Sequence, residues 1–212
     1  MTSRELGRWL VIAVAIVSGL GLGVELWGAR AHGDLVEALV PRLSLSYEAN
    51  VPTWFASTLL FTCALAAGAI AREATTYRGH WWGVVGVFAY ASLDEAIGLH
   101  EHLGGHVNTG GILYFDWVIW AVAILAVTAI IFLPFVRALA PASRTRLVIA
   151  GAIYLTGAVG MELPLGFVTE RLGTHNLAYA LVDWVEETLE MIGASLALLA
   201  FVRHRDPERF TP

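Results

Sequence analysis

The acidic residues of the last apolar segment have a spacing that could support chemistry. Asp183, Glu186, Glu187 and Glu190 stand at i, i+3, i+4 and i+7, so a helix carries them as one stripe. If Glu190 lay outside a membrane, the apolar run 191–202 would span only about 18 Å, against a hydrocarbon core of about 30 Å. The sequence therefore predicts that the stripe enters the membrane. It should face a bundle interior or a water-filled vestibule, because an ionised carboxylate toward lipid is costly.

A second group of ionisable side chains occupies residues 92–102, which read SLDEAIGLHEH. On a helix that continues through this segment, Asp94 and Glu101 share a face with Gly98 between them. Glu95 belongs to a second face, and His100 points elsewhere, toward a partner on another helix or connection. Carboxylate oxygens suit calcium, magnesium or manganese, and an added histidine brings zinc or iron within reach. We therefore expect a bound divalent metal cation, although its identity is not fixed by these residues.

The predicted metal site draws on three segments, and its members are acids and one histidine. Glu162 lies beside Pro164, which frees a backbone carbonyl and bends a helix, so this acid could serve a cavity or a kink. Two alternatives stay open for the acids: a helix end solvated at a wet interface, or a proton or substrate pathway. Neither Glu-x-x-His nor His-Glu-x-x-His occurs, which disfavours ferritin-like di-iron and zinc metalloprotease chemistry. The predicted ligands are Asp94, Glu101, Glu187 and Glu190, with Glu95, His100, Glu162 and Glu186 as further ligands or their hydrogen-bond partners.

The elements that must position these residues are membrane-spanning helices. Of 212 residues, 57% are hydrophobic and only 15% are charged, and the mean hydropathy is +0.66, which excludes an ordinary soluble domain. Apolar segments recur to the C-terminus, so the first is a retained helix and not a cleaved signal peptide. The prediction is an all-α fold, a single polytopic bundle over residues 1–212. Its six transmembrane helices are expected at about 8–28, 51–71, 81–101, 114–136, 147–169 and 179–202.

The arginines predict the orientation of this bundle, because positively charged connections stay in the cytoplasm. With both termini cytoplasmic, ten arginines lie inside and only Arg30, Arg42 and Arg171 lie outside. We therefore expect a multi-pass protein of a bacterial inner membrane, with its acids in the outer leaflet. Residues 34–40 place apolar side chains along one side of an interfacial helix on the outer side.

Two classes of function fit this arrangement. The first is a cation site that is structural or catalytic; as a metalloenzyme it would use metal-activated water or oxygen on a lipid-soluble substrate. The alternative is a non-catalytic accessory subunit of a larger respiratory or photosynthetic membrane complex. The partners are then the lipid bilayer and other membrane-protein subunits. A nucleic-acid partner has no support, because the net charge is −5 and topology explains the arginines. Whether the chain is an enzyme stays open, and no catalytic residue is identified.

Overall fold

The computed structural model describes residues 2–105, 107 and 109–205, except for the side chain of Glu101. Within that part all regular secondary structure is helical, and there is no strand. A π-helical turn, Thr156–Met161, joins two of the helices, and short 3-10 turns occupy His100–Leu103 and Gly111–Leu113. The α-helices are α1 (Ser3–Gly28), α2 (Asp34–Leu43), α3 (Val51–Glu73), α4 (Arg78–Ile97), α5 (Trp117–Ala138), α6 (Pro141–Leu155), α7 (Glu162–Leu172) and α8 (Leu177–Arg205).

Four of these helical stretches are long and apolar enough to cross a membrane: α1, α3, α5 and the continuous stretch Pro141–Leu172. The structure therefore supports a membrane protein built as a helical bundle. The short helix predicted at residues 34–40 is α2, in which Val36 is buried while Leu35 is 62% exposed.

Helix α4 ends earlier than the sequence analysis predicted. The expected span ran over residues 81–101, whereas α4 stops at Ile97 because Gly98 takes a left-handed conformation with φ of 60°. Glycine adopts this conformation without the steric cost that a Cβ would add, and it is a common helix terminator. The prediction that Asp94 and Glu101 share one helix face is therefore wrong. The side chain of Glu101, and His106 farther along, lie outside the described residues.

Helix α8 is the centre of the bundle. It packs against α1, α3, α6 and α7, while α4 packs on α3. A core of apolar side chains, including Cys63, Trp81, Ala194 and Phe201, fills one half of the bundle. At that end Arg203 donates to the Ser3 hydroxyl over 3.3 Å, and Arg205 pairs with Glu73 at 2.6 Å. We call this the arginine end and the opposite one the acidic end.

The π-helical turn at Thr156–Met161 lies just before Pro164. Proline has no N–H to donate to the carbonyl four residues back, and its ring collides with that carbonyl in a regular helix. The helix irregularity that Pro164 predicted next to Glu162 is therefore a π turn. Such turns are frequent at functional sites. It joins α6 and α7 into one helix whose second half starts at Glu162.

Candidate functional site

A cavity of about 460 Å³ lies at the acidic end, between α4, the π turn with α7, α8, the connection before α3 and the start of α5. It brings together every predicted site residue except Glu101, whose side chain is not described. The assignment of these residues as metal ligands stays a prediction. The predicted residues in its lining are Asp94, Glu95, His100, Glu162, Glu186, Glu187 and Glu190.

Helix α8 contributes the deepest part of the lining. The carboxyl group of Glu186 is buried, the residue being only 6% exposed, and its Oε2 atom has no hydrogen-bond partner in the part of the chain that the structure describes. The Oδ2 atom of Asp183, one turn earlier, is also buried without a partner. A buried polar atom without a hydrogen bond costs about 1–3 kcal/mol. Both residues line the same cavity, so a proton or a bound cation there would offset this cost.

Carboxylates of two other helices flank the α8 stripe. Glu95 of α4 and Glu162 of α7 line the same cavity as the stripe. Residues 186 and 187 point about 100° apart on a helix, so the stripe can face acids of two helices. Tyr154 of α6 lines the cavity together with Glu190.

His100 enters the cavity because the chain turns at Gly98. Its Nδ1 atom lies 3.0 Å from Oδ2 of Asp94, and its backbone N–H donates to Oδ1 of the same carboxylate over 2.7 Å. The ring also packs on Trp117, with 4.6 Å between ring centroids. The prediction that the His100 side chain points away from Asp94 is wrong, because it assumed that the helix continues unbroken to His100. A carboxylate that fixes a histidine ring in this way is a common partner arrangement in metal sites.

Asp116 and Glu48 line the cavity as well, and the sequence analysis overlooked both. Asp116 is 3% exposed and accepts the backbone N–H groups of Gly105 and Val107, over 2.7 Å and 2.6 Å. It thereby fixes the glycine-rich connection to the start of α5. The only signal in the sequence was an acid immediately before an apolar span. Glu48 stands in the polar segment just before Asn50, which caps α3.

The lining is strongly acidic. Among its described residues are nine carboxylates and one histidine, and no arginine or lysine. Carboxylates at such density repel one another unless protons, a cation or water compensate. Within the described residues, no three His, Cys, Asp or Glu side chains form a ready-made metal cluster. The acids surround the cavity instead of converging on one point.

A second cavity of about 550 Å³ adjoins the first. Ser46, Tyr47, Glu48 and Tyr179 line both cavities. Glu25 of α1 lines this second cavity and accepts a hydrogen bond from the Ser44 hydroxyl.

Comparison with known proteins gives one match. A family model described as "Domain of unknown function (DUF8692)" matches residues 9–204, a range that contains the lining of both cavities. No curated protein matches the chain, and no solved structure does.

Proposed function

We propose that this chain, which belongs to the DUF8692 family, is a membrane protein that binds a divalent metal cation in the cavity at its acidic end. The observation that carries the proposal is the buried Oε2 atom of Glu186, which lacks a hydrogen-bond partner among the described residues, in a cavity whose described lining has no arginine or lysine. A cation supplies both the missing contact and the missing positive charge.

The dimensions of the cavity favour an ion that keeps part of its water. A volume of about 460 Å³ far exceeds the space that one water molecule needs, so the cavity has room for an ion together with several waters. Magnesium usually keeps several waters and takes only one or two carboxylates directly. Such an ion needs no ready-made cluster of three ligands. The nitrogen of His100 would widen the choice toward manganese, iron or zinc.

Elemental analysis of the detergent-purified protein, after removal of loosely bound metal, tests this proposal. Wild type is compared with Glu186→Gln, which keeps the side-chain shape but removes the charge, and with Glu190→Ala. The matched control is Glu73→Gln at the arginine end, where the carboxylate is exposed and pairs with Arg205. We expect a stoichiometric metal in wild type and control, and its loss in both cavity variants.

A folded wild type without metal would overturn the cation site. It would favour the alternative, an accessory subunit of a larger membrane complex, and co-purification of partner subunits would be the next measurement. If metal is present, metal-activated water acting on a lipid-soluble substrate is the chemistry we propose, because the site lies inside a membrane-type bundle.

The proposal includes six crossings with both termini in the cytoplasm of a bacterial cell. Helix α4 has 20 residues and α8 has 29, or about 30 Å and 43 Å. The acidic residues that lower the hydropathy of α4 and α8 line the cavity, so in this proposal they do not face lipid. The outward face of α4 carries Val87, Tyr90, Leu93 and Ile97, each at least half exposed.

The orientation can be tested by cysteines introduced at exposed connections. An impermeant maleimide applied to intact cells should label Thr174→Cys and leave Thr76→Cys unlabelled. The reverse pattern would refute the proposed orientation.

A further inference from the structure

We infer that the second cavity is the path by which the cation reaches the acidic cavity, and that its carboxylates favour cations over anions. This inference rests on the proposed function. The two cavities share the wall formed by Ser46, Tyr47, Glu48 and Tyr179, so an ion in the second cavity is one side chain away from the first.

The second cavity has one exposed side and one buried side. Ala29, Thr174 and His175 on its rim are exposed. Its floor includes Ala180, which is 5% exposed. Ala180 belongs to α8, the helix that carries the acidic stripe. The cavity therefore leads from the surface of the acidic end to α8, one turn before Asp183.

The shared wall is held in place from several directions. Ser44 is fully buried; its hydroxyl bonds to Glu25 and accepts the backbone N–H of Ser46 over 3.0 Å. The Asn50 amide donates to the Ser44 carbonyl over 2.7 Å. Since the wall backbone is fixed, passage depends on the side chains of Tyr47, Glu48 and Tyr179.

The charges along this path have one sign. Glu25 and Glu48 line the second cavity, and none of its described lining residues is an arginine or lysine. Clefts lined by charges of one sign raise the local concentration of counter-ions and speed their association by 10-fold or more, with a steep dependence on ionic strength. The geometry therefore assigns Glu25 a role in the rate of cation uptake and not in the affinity of the final site.

Stopped-flow measurement of Tb³⁺ uptake tests this assignment, because Trp117 lines the acidic cavity and can sensitise terbium luminescence. The variant is Glu25→Gln, which keeps an acceptor for the Ser44 hydroxyl. The control is Glu37→Gln, an exposed acid of α2 that lines neither cavity. We expect the association rate to fall about ten-fold in Glu25→Gln at low ionic strength, the effect of one charge on a trivalent ion across roughly 8 Å of water.

The final luminescence amplitude should stay that of wild type in Glu25→Gln, and the rate should be unchanged in Glu37→Gln. Added salt should narrow the difference between wild type and Glu25→Gln. A wild-type uptake rate in Glu25→Gln, with full amplitude, would overturn the access path and leave the cation site intact. No Tb³⁺ luminescence in wild type would overturn the proposed site itself.

Discussion

Replacing Glu186 by glutamine should stabilise the metal-free protein while removing its response to metal. The residue is 6% exposed, its Oε2 atom has no hydrogen-bond partner among the described residues, and Glu162 lines the same cavity. Glutamine removes the charge at nearly unchanged shape. The amide still needs hydrogen-bond partners there, so the gain comes from ending like-charge repulsion within one network, which we take as about 1–3 kcal/mol. At about 2–4 °C per kcal/mol for a chain of this size, Tm should rise by roughly 2–12 °C.

The assay is thermal unfolding in detergent, first with a chelator and then with Mn²⁺ in excess. In wild type, an ion at 100 times its Kd adds about 2.7 kcal/mol of stability, whereas Glu186→Gln should gain little or nothing. Glu73→Gln is the control, because an exposed ion pair contributes at most about 1 kcal/mol. If Glu186→Gln lowered Tm in the chelator, the carboxylate would have a stabilising partner and the reasoning would be wrong.

Two further changes test how the site is positioned. Gly193→Ala should lower Tm, because its Cβ would lie 2.6 Å from the backbone nitrogen of Tyr154 and overpacking typically costs 1–3 kcal/mol. The control is Gly151→Ala, whose Cβ meets nothing within 4 Å and which should be neutral or slightly stabilising. Equal Tm values for the two variants would contradict the contact between α6 and α8. Asp116→Asn should accelerate proteolysis of the connection after Gly105. Each oxygen of the Asp116 carboxylate accepts one backbone N–H, from Gly105 or Val107, and the amide nitrogen of asparagine cannot accept a hydrogen bond. Unchanged proteolysis would show that other contacts hold this connection.

The long helices and the α8 stripe were predictable because their signals are local. Apolar length identifies a helix that can cross a membrane, and the i, i+3, i+4, i+7 spacing puts the acids on one face wherever the helix packs. The apolar run after Glu190 is too short to cross the hydrocarbon core by itself, which predicted that the stripe lies within the membrane and faces the interior of the bundle. These arguments need no knowledge of the neighbouring helices.

The geometry around His100 was not predictable in the same way. Gly98 is compatible with a helix interior or a helix end, and only the left-handed conformation in the structure decides between them. Once the chain turns there, the histidine ring swings back onto Asp94 and the helical spacing no longer applies. The role of Asp116 was not predicted for a related reason. Its partners are backbone N–H groups of a glycine-rich connection, and backbone groups leave no pattern of side chains in the sequence.

The burial of Cys63 makes this chain a convenient reporter of its own unfolding. It is the single cysteine, it is 0% exposed, and its Sγ atom lies 3.3 Å from the carbonyl of Ala194 on the central helix. Thiol reagents can reach it only when α3 and α8 separate, so the rate of modification measures opening of the bundle and not of its periphery. Probes attached at newly introduced surface cysteines will therefore read out their own sites, without first removing the native thiol.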